Sequence, residues 1–304
     1  KWLSMVNFCA GYYQKPIGEV LMSALPPRLR SARPVPPPPR QYRLIGNGTQ
    51  LLERTPARSA RRKSLIEELE VAPINQAQFD DLHGSERKWI RALIESGVIA
   101  AEAPASGEAR FVAEHPLSGE QAGIVKNVAS RMKEFGVHVL FGITGSGKTE
   151  VYLHLIAKAL ADRCQALVLV PEIALTPALE TAFRNRFPSA HIVMQHSAMA
   201  ELERVAGWLD AQEGRADIVI GTRLAAWVPL ARPGIIVVDE EQDASYKQQD
   251  GLRYSARDLA IYRAHEDGIP VILSSATPSL ETFQHALSGR YRLHRLTTRA
   301  HTAA

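Results

Sequence analysis

The octapeptide GITGSGKT, residues 142–149, constrains this chain more than any other stretch, because it dictates both a local conformation and the sheet that must carry it. Its spacing is G-x-x-x-x-G-K-[ST]; an apolar run at 137–141 precedes it and an amphipathic stretch at 150–160 follows. Strand, loop and helix in that order build a cradle whose inward N–H groups and helix N-terminus attract phosphate. The backbone of Gly142, Thr144, Gly145, Ser146 and Gly147 is expected to wrap the phosphates, Lys148 to reach the outer ones, and the Thr149 hydroxyl to hold Mg²⁺. The expected ligand is a nucleoside triphosphate, ATP, with Mg²⁺ as cofactor.

The pattern beyond Pro116 says what carries this loop. β-branched runs at 137–141, 166–170, 191–194, 217–220, 235–238 and 270–273 alternate with helix-patterned segments. Runs apolar on both faces and separated by crossover-length segments predict a buried parallel sheet, so the lobe is α/β. Five of the six runs end in a polar or glycine-containing cluster: GITGSGKT, PEIALT (171–176), GTR (221–223), DEEQD (239–243) and SSATP (274–278). Ligands of open parallel sheets sit outside the carboxyl ends of the strands, so these clusters are expected to converge on one edge. Asp239, directly after IIVV, is the candidate second holder of Mg²⁺, and Glu240 the candidate base for the attacking water. Lys148, Asp239 and Glu240 form the catalytic set. Gln121, in LSGEQ, offers an amide for the adenine edge.

Charge points to a partner. Residues 28–63 hold ten Arg and Lys against the single acid Glu53, and beside a nucleotide site such a run favours a polyanion. Hydrophobic content of 45% with 22% charged residues is that of an ordinary soluble protein, and no apolar stretch approaches the ~20 residues of a membrane span. The opening KWLSMVNFCAGYY has no cleavable apolar core, and Cys9 and Cys164, far apart in apolar surroundings, read as reduced core residues. The cytoplasm is the expected location, without membrane contact.

Four segments are expected. Residues 1–30 carry apolar residues but are too short to form a core, and read as the end of a truncated domain; 31–40 form a Pro/Arg-rich linker. Residues 41–113 read as a winged helix, with helices at 64–69, 75–82 and 85–95 capped by Ser85, then extended pieces at 98–101 and 110–112 flanking a turn. On the third helix Trp89, Leu93 and Ile94 make an apolar face, with Arg87, Lys88 and Arg91 largely opposite. Arg58, Arg61, Arg62, Lys63 and Lys88 are the expected DNA-phosphate contacts here. Residues 114–304 form the nucleotide lobe.

The stretches PEIALTPAL, His196–Ser197, GTR, DEEQDASYKQQDGLRYSARDLAIYRA and SSATPSLET resemble the PriA family of bacterial replication-restart DNA helicases (primosomal protein N′), over essentially the whole chain. The resemblance implies that 114–304 is the first RecA-like helicase lobe, behind a winged helix and the end of a domain that grips the 3′ end of DNA. It implies a 3′ to 5′ superfamily-2 helicase at stalled forks, a monomer whose partners are forked and single-stranded DNA, primosome proteins and single-stranded DNA-binding protein. Gln242, Ser275, Ala276 and Thr277 would couple nucleotide to DNA. Tyr246 and Tyr254 would stack on bases while Arg223, Lys247, Arg253 and Arg257 meet phosphates. Gln242 stands where the family usually has His, and Leu252 where it often has Trp. A second lobe and a cysteine-rich zinc module are expected in a part absent from this chain, so the 304 residues should bind ATP and DNA without unwinding. Two other readings stay open: a nucleotide-gated DNA-binding module without turnover, and an ATPase acting on something other than nucleic acid.

Overall fold

A computed structural model describes residues 1–31, 41–46, 48, 51–52, 55–56, 59–71, 73–75, 78–79, 81–102 and 110–299. The chain divides into two units, Pro37–Ala105 on one hand and Lys1–Pro36 with Ser106–Ala304 on the other. Residues 32–40 of the expected linker, the turn at 103–109 and Arg58 lie outside the described residues.

In the smaller unit β1 (Gln41–Leu44) lies between β2 (Ile74–Asn75) and β3 (Ile99–Glu102), antiparallel to both. Helices Ala60–Val71 and Gly84–Glu95 bring Leu65, Leu69 and Ile90 onto Tyr42, Ile74, Phe79, Leu82 and Ile99 to form its core. The first helix starts at Ala60, earlier than the expected 64, and the basic run Arg61–Lys63 lies in its first turn. His83, not Ser85, caps the second, in a capping box with Glu86. Asn75, expected to open a helix, pairs instead with Gln41, beside Ile74 with Tyr42, as a strand.

The expected hairpin between 98–101 and 110–112 does not form. β3 pairs with β1 instead, while 110–112 are pinned to the larger unit: Arg110 N–H donates to Ser189 Oγ at 2.7 Å and Val112 N–H to the Arg186 carbonyl at 2.8 Å. Phe111 packs against Phe187 and His154.

The larger unit is built on seven parallel strands: β4 (Gly136–Gly142), β5 (Gln165–Leu169), β6 (Ile192–Gln195), β7 (Ile218–Gly221), β8 (Pro233–Asp239), β9 (Pro270–Ser275) and β10 (Arg292–Leu296). Their order across the sheet is β10-β4-β9-β8-β5-β7-β6. Alternation divides the strand side chains between two cores: Leu167, Leu169, Ile236, Val238, Val271 and Leu273 face one, and Ala166, Val168, Ile235, Val237 and Ile272 the other. Helix Lys148–Ala161 covers the second core with Val151, Leu155 and Ile156. This is the expected α/β fold with a buried parallel sheet, in the RecA-like arrangement.

Residues 1–30 do not close a separate domain here. Helices Trp2–Tyr12 and Ile17–Ala24 press Met5, Val6, Cys9, Val20 and Ala24 into the first core beside Trp227 and Tyr254. Trp2 Nε1 donates to the Trp227 carbonyl at 2.6 Å, and the Tyr13 hydroxyl accepts from Ser255 N–H at 3.2 Å. The segment is too short for a core of its own and borrows the lobe's. Cys9 is free and fully buried, which pushes its thiol up to about 12.

β10 was not foreseen because RLHRL has three basic residues in five and only Leu296 is fully buried; its backbone pairs with β4 nonetheless. That pairing sets His138 Nδ1 2.9 Å from His294 Nε2. Burial foremost, then the neighbouring His294, holds His138 down to about 3 from its ordinary value of 6.5. Between those values the unfolded chain binds a proton that the fold refuses, so stability should be complete above pH 6.5 and fall progressively as pH drops toward 3. Denaturant titrations across that range should show a clearly shallower decline in His138→Gln. An identical decline in the variant would mean that this histidine does not titrate as the fold requires.

Candidate nucleotide site

β4 delivers the chain to the phosphate loop at Gly142, where a Cβ would come within 2.5 Å of Ser146 Oγ, so only glycine fits. Gly145 and Gly147 take left-handed backbone, φ 80° and 81°, and Gly147 caps the following helix. Lys148 is buried and its Nζ donates to the Gly142 and Ile143 carbonyls at 2.8 and 3.3 Å, folded back on the loop that it would leave to meet phosphate. Ser146 Oγ is buried without a protein partner.

A cavity of about 620 Å³ brings this loop to the end of β8: Gln121, Thr144, Gly145, Gly147, Lys148 and Thr149 line it with Asp239 and Glu240, and His115–Ser118 close one side. The Asp239 carboxylate is held from two sides. Its Oδ1 accepts from Ser274 Oγ at 2.8 Å and Glu240 N–H at 3.2 Å, its Oδ2 from the Tyr152 hydroxyl at 3.2 Å. Burial pushes this carboxyl above the usual range, opposed by the Ser274 bond. Thr149 and Asp239 offer hard oxygen donors, as Mg²⁺ requires. Among the described residues no group of three or more His, Cys, Asp or Glu side chains forms a metal cage. A metal here would take its remaining ligands from phosphate and water, as Mg²⁺ does.

Glu240 turns the chain with φ 46°, a left-handed conformation that costs a side-chain-bearing residue about 1–3 kcal/mol and recurs at functional sites. Its Oε2 accepts from Gln242 Nε2 at 3.0 Å; the Gln242 carbonyl accepts from Ser275 Oγ at 2.6 Å; and Ser275 Oγ accepts from Thr277 N–H at 2.8 Å. Three of the four residues expected to couple nucleotide to DNA are thus strung on one hydrogen-bonded chain from Glu240, with Ala276 half-buried inside the turn.

Other expectations are corrected. Tyr246 and Tyr254 are 2% and 3% exposed, so neither presents a face to a base. The Tyr246 hydroxyl lies 2.5 Å from the Asp239 carbonyl and 3.0 Å from that of Leu169, at the ends of β8 and β5, with one proton to donate between them, and that of Tyr254 donates to the Arg223 carbonyl. Leu252 is buried too. Arg257 is committed to protein: its Nη1 donates to Glu241 Oε2 at 3.2 Å and Ser279 Oγ at 2.9 Å, its Nε to Asp258 at 2.9 Å. Gln121 lines the cavity, and its amide also braces the phosphate loop: its oxygen accepts from Ser118 N–H at 2.8 Å and its nitrogen donates to the Ser146 carbonyl at 3.2 Å. Arg223 donates to the Ser245 carbonyl at 2.8 Å and is half-buried, while Arg253 and Lys247 are exposed, Lys247 over the Tyr13 ring. In the smaller unit Lys88 is exposed, Arg61 pairs with Glu68 at 2.8 Å, Arg62 lies over Trp89 and Lys63 is half-buried.

Sequence reasoning missed Glu241. It is buried, and accepts from Ser279 N–H at 2.7 Å and Thr282 Oγ1 at 3.0 Å as well as from Arg257, tying the acidic turn to the segment after β9. The signal was its place in a run of three acids, where the third could not also face the cavity.

A phosphate loop, a strand-end acid and a second acid directly after it on one edge of a seven-stranded parallel sheet define a P-loop lobe. Residues 123–286 match the DEAD/DEAH box helicase family, and the chain belongs to that family. It is 35% identical over 312 residues to the replication restart protein PriA of Haemophilus influenzae, covering 98% of this chain and 42% of that protein. With PriA of Bacillus subtilis it shares 42% identity over 180 residues, 59% of this chain and 22% of that one. The chain thus spans less than half the length of these curated relatives. Among solved structures, RecG bound to a three-way DNA junction is similar with a TM-score of 0.46 and 18% identity, over 64% of this chain and 27% of that one. The resemblance read from the motifs is to the PriA proteins. No described helix is long and apolar enough to cross a membrane.

Proposed function

We propose that this chain is the ATP-binding part of a 3′ to 5′ superfamily-2 DNA helicase that acts at stalled forks in replication restart. One observation carries the reading: the nucleotide cavity connects through Glu240, Gln242 and Ser275 to Thr277, which is exposed at the same sheet edge. A nucleotide-dependent move of Glu240 therefore has a defined route to a surface a strand could occupy. Lys148 and the loop N–H groups would bind the phosphates, Thr149 and Asp239 would hold Mg²⁺, and Glu240 would take the proton of the attacking water. The chemistry such a metal would supply is neutralisation of charge on the phosphates.

DNA phosphates would meet Arg223, Lys247 and Arg253 on the lobe and Arg61, Arg62, Lys63 and Lys88 on the smaller unit, read as a winged helix, with strong salt dependence and little sequence preference. Gln242 in place of the family's His transmits by hydrogen bonding alone, since an amide carries no proton at neutral pH. In this reading the protein works in the cytoplasm as a monomer, with primosome proteins and single-stranded DNA-binding protein as partners. Unwinding needs a second lobe to close on the first, so this chain alone binds nucleotide and DNA and turns over very slowly.

Ser275→Ala tests the route. It removes the link between the Gln242 carbonyl and Thr277 N–H while leaving the phosphate loop intact. In the full-length protein the ratio of DNA-stimulated to basal ATP turnover should fall several-fold. Undiminished stimulation would sink the proposed route.

A further inference from the structure

We propose that Tyr152 is a positioning residue that holds the Asp239 carboxylate for the metal end of the nucleotide site. The inference rests on the nucleotide reading above and deepens it. Thr149 and Tyr152 are three residues apart on helix Lys148–Ala161 and share a face. The Tyr152 hydroxyl stands between the other two groups: it donates to Asp239 Oδ2 at 3.2 Å and has the Thr149 side chain as its further polar neighbour. The residue is 1% exposed, so water cannot serve its O–H, and a buried hydroxyl without a partner is costly.

The acceptor count explains what the bond does. An ionised carboxylate has about four lone-pair sites. Ser274 Oγ and Glu240 N–H take up Oδ1, and Tyr152 takes one of the two sites on Oδ2. The remaining site on Oδ2 is the one left for a metal or its hydration water. Without the phenol both Oδ2 sites open and the carboxylate can rotate about its single well-anchored oxygen. The phenol therefore selects the direction in which Asp239 offers charge. Leucine, isoleucine or valine at 152 would fill the same core but could not make this choice. Tyr246 contributes from the other side, its hydroxyl donating to the Asp239 backbone carbonyl at 2.5 Å.

Tyr152→Phe deletes one oxygen and keeps the ring in the core it shares with Leu155 and Ile156. The 304-residue chain and the variant would be titrated with a fluorescent ATP analogue, once with excess EDTA and once with Mg²⁺. The expected result is equal affinity in EDTA and an Mg²⁺-dependent gain reduced about tenfold in the variant, the size of one charge-assisted hydrogen bond. An equal Mg²⁺ gain in both chains would overturn the assignment. So would a loss of the same size with and without Mg²⁺, because that is what a merely structural tyrosine would produce. Absence of binding by the unaltered chain would instead overturn the nucleotide site itself, which separates the two failures. Thermal unfolding in EDTA, expected to stay one cooperative transition with a somewhat lower midpoint in the variant, checks that the variant is folded.

Discussion

ATP turnover in the full-length protein should drop about 10²–10⁴-fold in Glu240→Gln, with nucleotide affinity preserved. The size of the effect follows from what the substitution takes away. Glutamine matches glutamate in length and still accepts a hydrogen bond from Gln242 Nε2, so the chain to Ser275 survives. What disappears is the ability to take a proton from water beside the γ-phosphate. The left-handed backbone at this position, φ 46°, is equally available to either residue, so the variant should fold normally. Single-turnover measurements separate binding from chemistry. Hydrolysis near the unaltered rate would remove Glu240 from the role of base and leave it as a link in the hydrogen-bonded chain only.

Lys148→Ala should weaken nucleotide binding by about 30-fold to several thousand-fold, the cost of leaving a desolvated charge pair with one member, about 2–5 kcal/mol. Lys148 satisfies two carbonyls of its own loop, so its deletion releases those acceptors and deprives the phosphates of the amine in the cavity lining. DNA binding should persist, since its expected contacts are on other surfaces. Titration of a fluorescent ATP analogue reads the first effect and a salt series with single-stranded DNA the second. Equal nucleotide affinity in variant and parent would refute the assignment of this loop as the triphosphate site.

Much of this was readable in one dimension. GITGSGKT constrains its own backbone, because glycines at 145 and 147 are the residues that reach φ near 80° without strain, and the spacing alone therefore predicts the cradle. The six apolar runs were legible for a similar reason: a strand buried on both faces has little room for polar residues, and all six are strands of one sheet. Asp239 followed from its position at the end of such a run.

What escaped lies in contacts between distant residues. An aromatic, basic loop looks the same on paper whether its tyrosines point out or in. Here Tyr246 and Tyr254 turn inward because their hydroxyls find the carbonyls of Leu169, Asp239 and Arg223 at the sheet edge. Arg257 similarly turned to Glu241, and Gln121 to Ser118 and Ser146. β10 is held by backbone pairing, which leaves little trace in side-chain pattern.

The sequence by itself determined the phosphate cradle, the parallel sheet beneath it and the acids at its edge, since each depends on residues within one strand, loop and helix. Only the tertiary structure decided where the N-terminal helices belong, which tyrosines serve as braces and how Glu240 reaches Thr277. Those outcomes depend on which buried donors and acceptors meet across the sheet, and each buried polar group must find a partner that local sequence does not specify.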